Sequence, residues 1–73
     1  MLKFKFKQLL AEKEFNDGQV VTITDVAKAT GINRMTLSKI ANKRGYSTVT
    51  DNIDKLCAYF ECEVGDLVEY VKE

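Results

Sequence analysis

Leu2, Phe4 and Phe6 alternate with Lys3, Lys5 and Lys7 at the opening of the chain, the period-two pattern of a strand. From Phe6 onward Leu9 and Leu10, with Lys13 and Glu14, follow helical spacing instead. The pattern therefore predicts a short strand over about residues 2–4 running into a first helix over about 5–15. Phe15-Asn16-Asp17-Gly18-Gln19 carries turn residues, with Gly18 the one that tolerates positive φ, so the helix is expected to end near Phe15. Thr22 is followed three residues later by Asp25, the spacing of a capping box, and Val21 and Val26 are placed as a hydrophobic staple. A second helix is expected over about 23–30, closed by Gly31. Asn33 is the N-cap of a third helix from Arg34 to about Asn42, with Leu37, Ile40 and Ala41 on its apolar side and Gly45 beyond its end.

Thr48 and Asp51 repeat the capping-box spacing, and Val49, Ile53, Leu56, Cys57 and Phe60 follow as a helical stripe, predicting a fourth helix over about 49–60. Val64, Leu67 and Val68 suggest a short fifth helix over about 64–69. The fold class expected is all-α with five short helices. The tail Val68-Glu69-Tyr70-Val71 is also competent for a strand, and its glutamates suit the lysines of the opening segment in a two-stranded pair.

A chain of 73 residues has room for one domain, and 1–73 is read as such. With 45% hydrophobic and 30% charged residues it has the composition of a folded globular chain. Its apolar runs are far shorter than the ~18–20 residues that cross a bilayer, and its opening lacks an apolar signal region, so a cytoplasmic protein with no membrane partner is expected. Histidine is absent and there are two cysteines, Cys57 and Cys62. Without imidazole there is no ordinary proton shuttle near neutral pH, and two thiols do not complete a tetrahedral zinc site. No enzyme activity, metal or cofactor is expected, and both thiols are read as reduced packing groups.

Net charge is zero, yet the signs are segregated. Residues 34–44 hold Arg34, Lys39, Lys43 and Arg44 and no acid, while 45–73 set two lysines against seven acids. Segregation of this kind suits a molecule with one surface for phosphate. The second and third predicted helices, joined by a three-residue turn, have the spacing of a helix-turn-helix over about 22–42: Ala27 is small where helices cross, Gly31 allows the turn, and Val26, Ile32, Leu37 and Ile40 pin the pair to the core. With Leu37, Ile40 and Ala41 turned inward, a helical wheel leaves Met35, Ser38, Lys39 and Asn42 outward with Arg34 at the leading edge. That set includes donors that pair with guanine, a hydroxyl, an amide and an apolar contact for a thymine methyl. Lys43, Arg44, Tyr46 and Thr48, and the helix start at Thr22 and Thr24, are placed to meet backbone phosphates. For Tyr46 a packing role in the core is an equal alternative.

Val26-Ala27, Gly31-Ile32, Thr36-Leu37-Ser38-Lys39-Ile40, Leu56-Cys57, Phe60-Glu61-Cys62 and Gly65-Asp66-Leu67 resemble the Cro/repressor-type helix-turn-helix family, also called the xenobiotic-response-element (XRE) family. The resemblance covers about residues 5–70. It implies a five-helix domain that binds double-stranded DNA through its third helix, usually as a homodimer on a roughly palindromic operator. Carried over by position, base reading falls on Arg34, Met35, Ser38 and Lys39, and phosphate contact on Asn42, Lys43 and Arg44. The sequence departs from the commonest family pattern in a longer loop from Asn16 to Val21 and in Arg34-Met35, where paired glutamines or serines are frequent.

The function expected is a sequence-specific DNA-binding transcriptional regulator acting by operator occupancy. The alternative is a protein-interaction module, such as the antitoxin of a toxin–antitoxin pair, in which the acidic 45–73 segment or the Leu2–Phe6 edge binds a protein partner. Dimer surfaces are expected at Leu2, Phe4 and Phe6, or at Phe60, Val64, Val68 and Tyr70.

Overall fold

Phe6 is the residue at which the first helix and the core begin. In the computed structural model, which describes residues 1–72, it is fully buried and starts α1 (Phe6–Asp17), directly after β1 (Leu2–Phe4). The elements that follow are α2 (Ile23–Thr30), α3 (Arg34–Asn42), α4 (Thr50–Phe60), α5 (Val64–Leu67) and β2 (Val68–Tyr70). The five helices surround one core of Phe6, Leu9, Val21, Val26, Ile32, Leu37, Ile40, Leu56 and Leu67. The Phe60 ring meets Phe6 edge-on at 5.7 Å, closing the side between α1 and α4.

The two chain ends are tied together. β1 and β2 pair antiparallel with Leu2 opposite Tyr70, Lys3 opposite Glu69 and Phe4 opposite Val68, so the expected lysine–glutamate juxtaposition is present. The Val71 amide donates to the Met1 carbonyl at 2.8 Å, and the Lys5 amide to the Leu67 carbonyl at 2.7 Å. This pairing shortens the fifth helix: expected to reach residue 69, it stops at Leu67 because Val68 is drawn into the ladder opposite Phe4.

Two further boundaries differ from expectation for local reasons. α1 continues past Phe15 to Asp17, because the left-handed cap is Gly18 (φ 70°), whose amide bonds to the Glu14 carbonyl. The Lys13–Asp17 ion pair at 3.3 Å adds to this last turn, and Phe15 is left 87% exposed on the outer face. At α4 the predicted capping box at Thr48 does not form. The Thr48 hydroxyl accepts from the Asn52 side-chain amide at 2.9 Å and Asp51 turns to Lys55 at 3.1 Å, so the helix begins at Thr50 behind Val49. Val49, counted in the apolar stripe, is exposed.

The box at α2 forms as its spacing predicts. The Thr22 hydroxyl accepts from the Asp25 amide at 3.1 Å, and the Thr22 amide donates to the Asp25 carboxylate at 2.9 Å. Flanking it, Val21 and Val26 are both buried. Hydrogen bonding from Thr22 to the carboxylate, the backbone amide first and the side chain second, holds the Asp25 carboxyl below its ordinary 3.8. A lowered folded value means stability present above the ordinary carboxylate range and lost as pH falls through the lowered one. Thr22→Ala should therefore cost about 1 kcal/mol at neutral pH, read as a few degrees in Tm. The same variant keeps the Thr22 amide and removes the smaller, hydroxyl share of the Asp25 shift, so the acid limb should flatten slightly. An unchanged Tm together with an unchanged acid limb would remove the cap from the account of α2.

Candidate nucleic-acid interface

The turn between α2 and α3 is built from side chains that bond their own backbone. Gly31, at φ 77°, returns its amide to the Ala27 carbonyl at 2.8 Å. The Thr30 hydroxyl donates to the Val26 carbonyl at 2.7 Å and accepts from the Ile32 amide at 3.2 Å. The Asn33 side chain accepts from the Met35 amide at 2.7 Å, capping α3 as predicted. Ile32 is buried in the middle of this turn, so the three-residue connection is anchored to the core at its centre. Thr30 has no distinguishing signal in the sequence. Its hydroxyl needs the helix to end at Gly31 before it can bridge Val26 and Ile32, and a lone threonine does not announce that.

α3 then presents two unlike faces. Leu37 and Ile40 point into the core, while Arg34, Met35, Ser38, Lys39 and Asn42 are exposed. Met35 is 68% exposed on a face otherwise made of polar and cationic groups. The Asn42 amide donates to the Ser38 carbonyl at 3.0 Å, so this side chain lies back along its own helix. Among the described residues, the ion pairs are Lys13–Asp17 and Lys55–Asp51, and neither engages the cations of 34–44. A helix face of this kind offers its charge to an outside anion.

The flanking residues divide. Lys43 and Arg44 are exposed at the end of α3, with the Lys43 ammonium 6.0 Å from the centre of the Tyr46 ring. Tyr46 is half-buried against the core and Thr48 is half-buried with its hydroxyl bonded to Asn52, so both have structural work of their own. At the start of α2, Thr24 is exposed, but the Thr22 amide is not free: it is bonded to the Asp25 carboxylate. That carboxylate also places negative charge at the helix start. The phosphate capacity expected there from unpaired amides is correspondingly reduced, and Thr22 enters as a cap.

Sequence reasoning missed a cation beside this region. Lys3 lines a hollow of about 390 Å³ together with Asn42, Lys43 and Arg44, so β1 borders the end of α3. The hollow is floored by Leu2, Phe4, Ile40 and Ala41. A Cβ built on Gly45 would come within 3.1 Å of the Met1 sulfur, which shows how closely the chain start abuts the α3–α4 connection. Nothing in the local pattern brings residues 1–3 to residues 42–45.

Two helices joined by a three-residue turn anchored at buried Ile32, the second with an exposed, acid-free face, define a helix-turn-helix DNA-binding domain. The chain belongs to the Cro/C1-type helix-turn-helix DNA-binding family, whose family model matches residues 5–73. It is accordingly a DNA-binding regulator. No curated protein and no solved structure matches it significantly. Among the described residues, no helix is long and apolar enough to cross a membrane.

Proposed function

We propose that this protein is a sequence-specific transcriptional regulator that inserts α3 into the major groove of an operator as a homodimer. The observation that carries this reading is the outward face of α3, on which exposed Arg34, Met35, Ser38 and Lys39 stand together with no acid among residues 34–44. Arg34 pairs with guanine, Ser38 and Lys39 contact base edges, and Met35 packs on a thymine methyl. Lys43 and Arg44 hold backbone phosphates, with Thr24 and Asn42 beside them, and fix the register in which α3 reads. Thr22, Tyr46 and Thr48 serve the same surface by shaping its supports.

A single domain of this size reads few base pairs. Two copies on half-sites about 34–36 Å apart supply the discrimination that one lacks. Of the residues expected at the dimer surfaces, Leu2, Val64 and Tyr70 are exposed and available for joining the copies, whereas Phe6 is fully buried and takes no part.

Selection of bound sequences from a random duplex pool tests the proposal, and a palindromic motif is the expected result. No enrichment, with only weak charge-driven binding, would overturn it and turn attention to a protein partner. With the motif in hand, Arg34→Ala should cost ~1–3 kcal/mol on the selected site and relax the preference at one position, whereas Lys43→Ala should weaken all duplexes alike. Equal losses on selected and random DNA for both variants would refute this division of labour.

A further inference from the structure

The end of α4 carries two thiols that DNA binding leaves unused. The helix closes in a Schellman motif: Glu61 lies at a left-handed φ of 53°, its amide meets the Ala58 carbonyl at 3.4 Å, and the Cys62 amide reaches back to the Cys57 carbonyl at 3.1 Å. In this motif the residues at its two ends bring their side chains together, commonly as an apolar contact. Here those residues are Cys57 and Cys62. Both are free and half-buried against the core. Burial first, and the neighbouring Cys57 next, push the Cys62 thiol up to about 11, so this thiol rests protonated near neutral pH.

Geometry also gives the pair an entrance. Cys62 lines a surface hollow of about 340 Å³ whose charged residues are Glu12, Glu61, Asp66 and Lys5. The Lys5 ammonium, bonded to the Gly65 carbonyl at 2.8 Å, keeps its charge, and Glu12, Glu61 and Asp66 outnumber it, so the opening is net negative. A disulfide needs Cα atoms within ~7 Å and side chains that face each other. The 3.1 Å bond from the Cys62 amide to the Cys57 carbonyl brings the two backbones together at the cap, and the motif turns the side chains of these two positions toward each other.

We propose that Cys57 and Cys62 form a reversible modification site, a dithiol across the α4 cap that a small cationic disulfide converts to an intramolecular disulfide. The small fraction of Cys62 that has lost its proton to solvent attacks one sulfur of the reagent, so the step is slow near neutral pH and speeds as pH rises toward 11. The reagent S–S bond breaks, and one half leaves as a thiolate that takes up a proton. Cys57 then loses its proton and attacks the Cys62 sulfur of the mixed disulfide, expelling the second half as thiol. Two electrons pass from the protein pair to the reagent, and no other oxidant is required. The product links the end of α4 to the segment leading into α5, across the left-handed Glu61.

The test uses the reduced, folded, full-length protein and does not depend on DNA. Treatment with cystamine should remove both free thiols and leave a monomer lighter by two hydrogens, and the native circular dichroism should persist. Oxidised glutathione, which is anionic, should act several-fold more slowly. Cys57→Ser should stop at one cysteamine adduct on Cys62, and phenylarsine oxide, which needs two adjacent thiols, should bind the wild-type protein one to one and fail on that variant. Should the variant not fold, the wild-type products decide alone. Two stable adducts per chain, disulfide-linked dimers, or a bridge that appears only in denaturant would each overturn the proposal.

Discussion

Raising the salt from 50 to 200 mM is expected to weaken operator binding by roughly 10⁵-fold, the largest effect foreseen for this protein. With four to six phosphates neutralised per subunit, log K should fall against log salt with a slope of about −4 to −5 per subunit, and twice that for a dimer. This steepness comes from a chain of zero net charge, because the relevant cations are concentrated in Arg34, Lys39, Lys43 and Arg44 and are not paired with acids among the described residues. Lys3 lines the same hollow as Lys43 and Arg44 although it lies far away in sequence, and stands opposite Glu69 in the strand pair. A titration on the selected duplex and on an unrelated one measures the slope directly. Lys43→Ala should lower it by about one per subunit. A slope shallower than about −2 would show that phosphate capture is not what holds the complex together.

Leu37→Ala is expected to cost about 2–5 kcal/mol, since the side chain is fully buried between α3 and the rest of the core. Domains of this kind have only about 5–15 kcal/mol to lose. A fall in Tm of more than about 10 °C in a thermal circular dichroism melt is therefore the expected result. Met35→Ala is the matched control from the other face of the same helix. With Met35 68% exposed, its Tm should stay within a few degrees while its preference at one operator position weakens. If Leu37→Ala melted like the wild type, the assignment of inward and outward faces on α3 would have to be reversed.

The same two-faced character explains why α2 and α3 are legible in the amino-acid sequence. Each cap is a bond between residues two or three apart, as in Thr22 with Asp25 and Asn33 with Met35, and each face follows from a 3.6-residue period. The start of α4 departs from its sequence pattern for an equally local reason. Thr48 and Asp51 have capping-box spacing, but Asn52 and Lys55 lie one turn further on and compete for the same two side chains. Sequence spacing identifies candidate partners and does not rank them. The start of α2 is capped as its spacing predicts, yet the cap itself consumes the Thr22 amide that phosphate binding was expected to use.

What the amino-acid sequence determined by itself is the set of features that interactions within about one helical turn can specify: five helices, the turn at Gly31, the inward Leu37 and Ile40, and the acid-free outward face of α3. Tertiary structure alone decided the rest. It buried Phe6 while leaving Leu2 and Tyr70 exposed, ended α5 where β2 could pair with β1, and set Lys3 beside Arg44. The physical reason is separation along the chain. The alternating lysines and the tail glutamates suggest that residues 2–4 and 68–70 pair, but whether and in what register they do depends on how the whole core closes, because only that closure holds the two segments together against the entropy of the intervening loop.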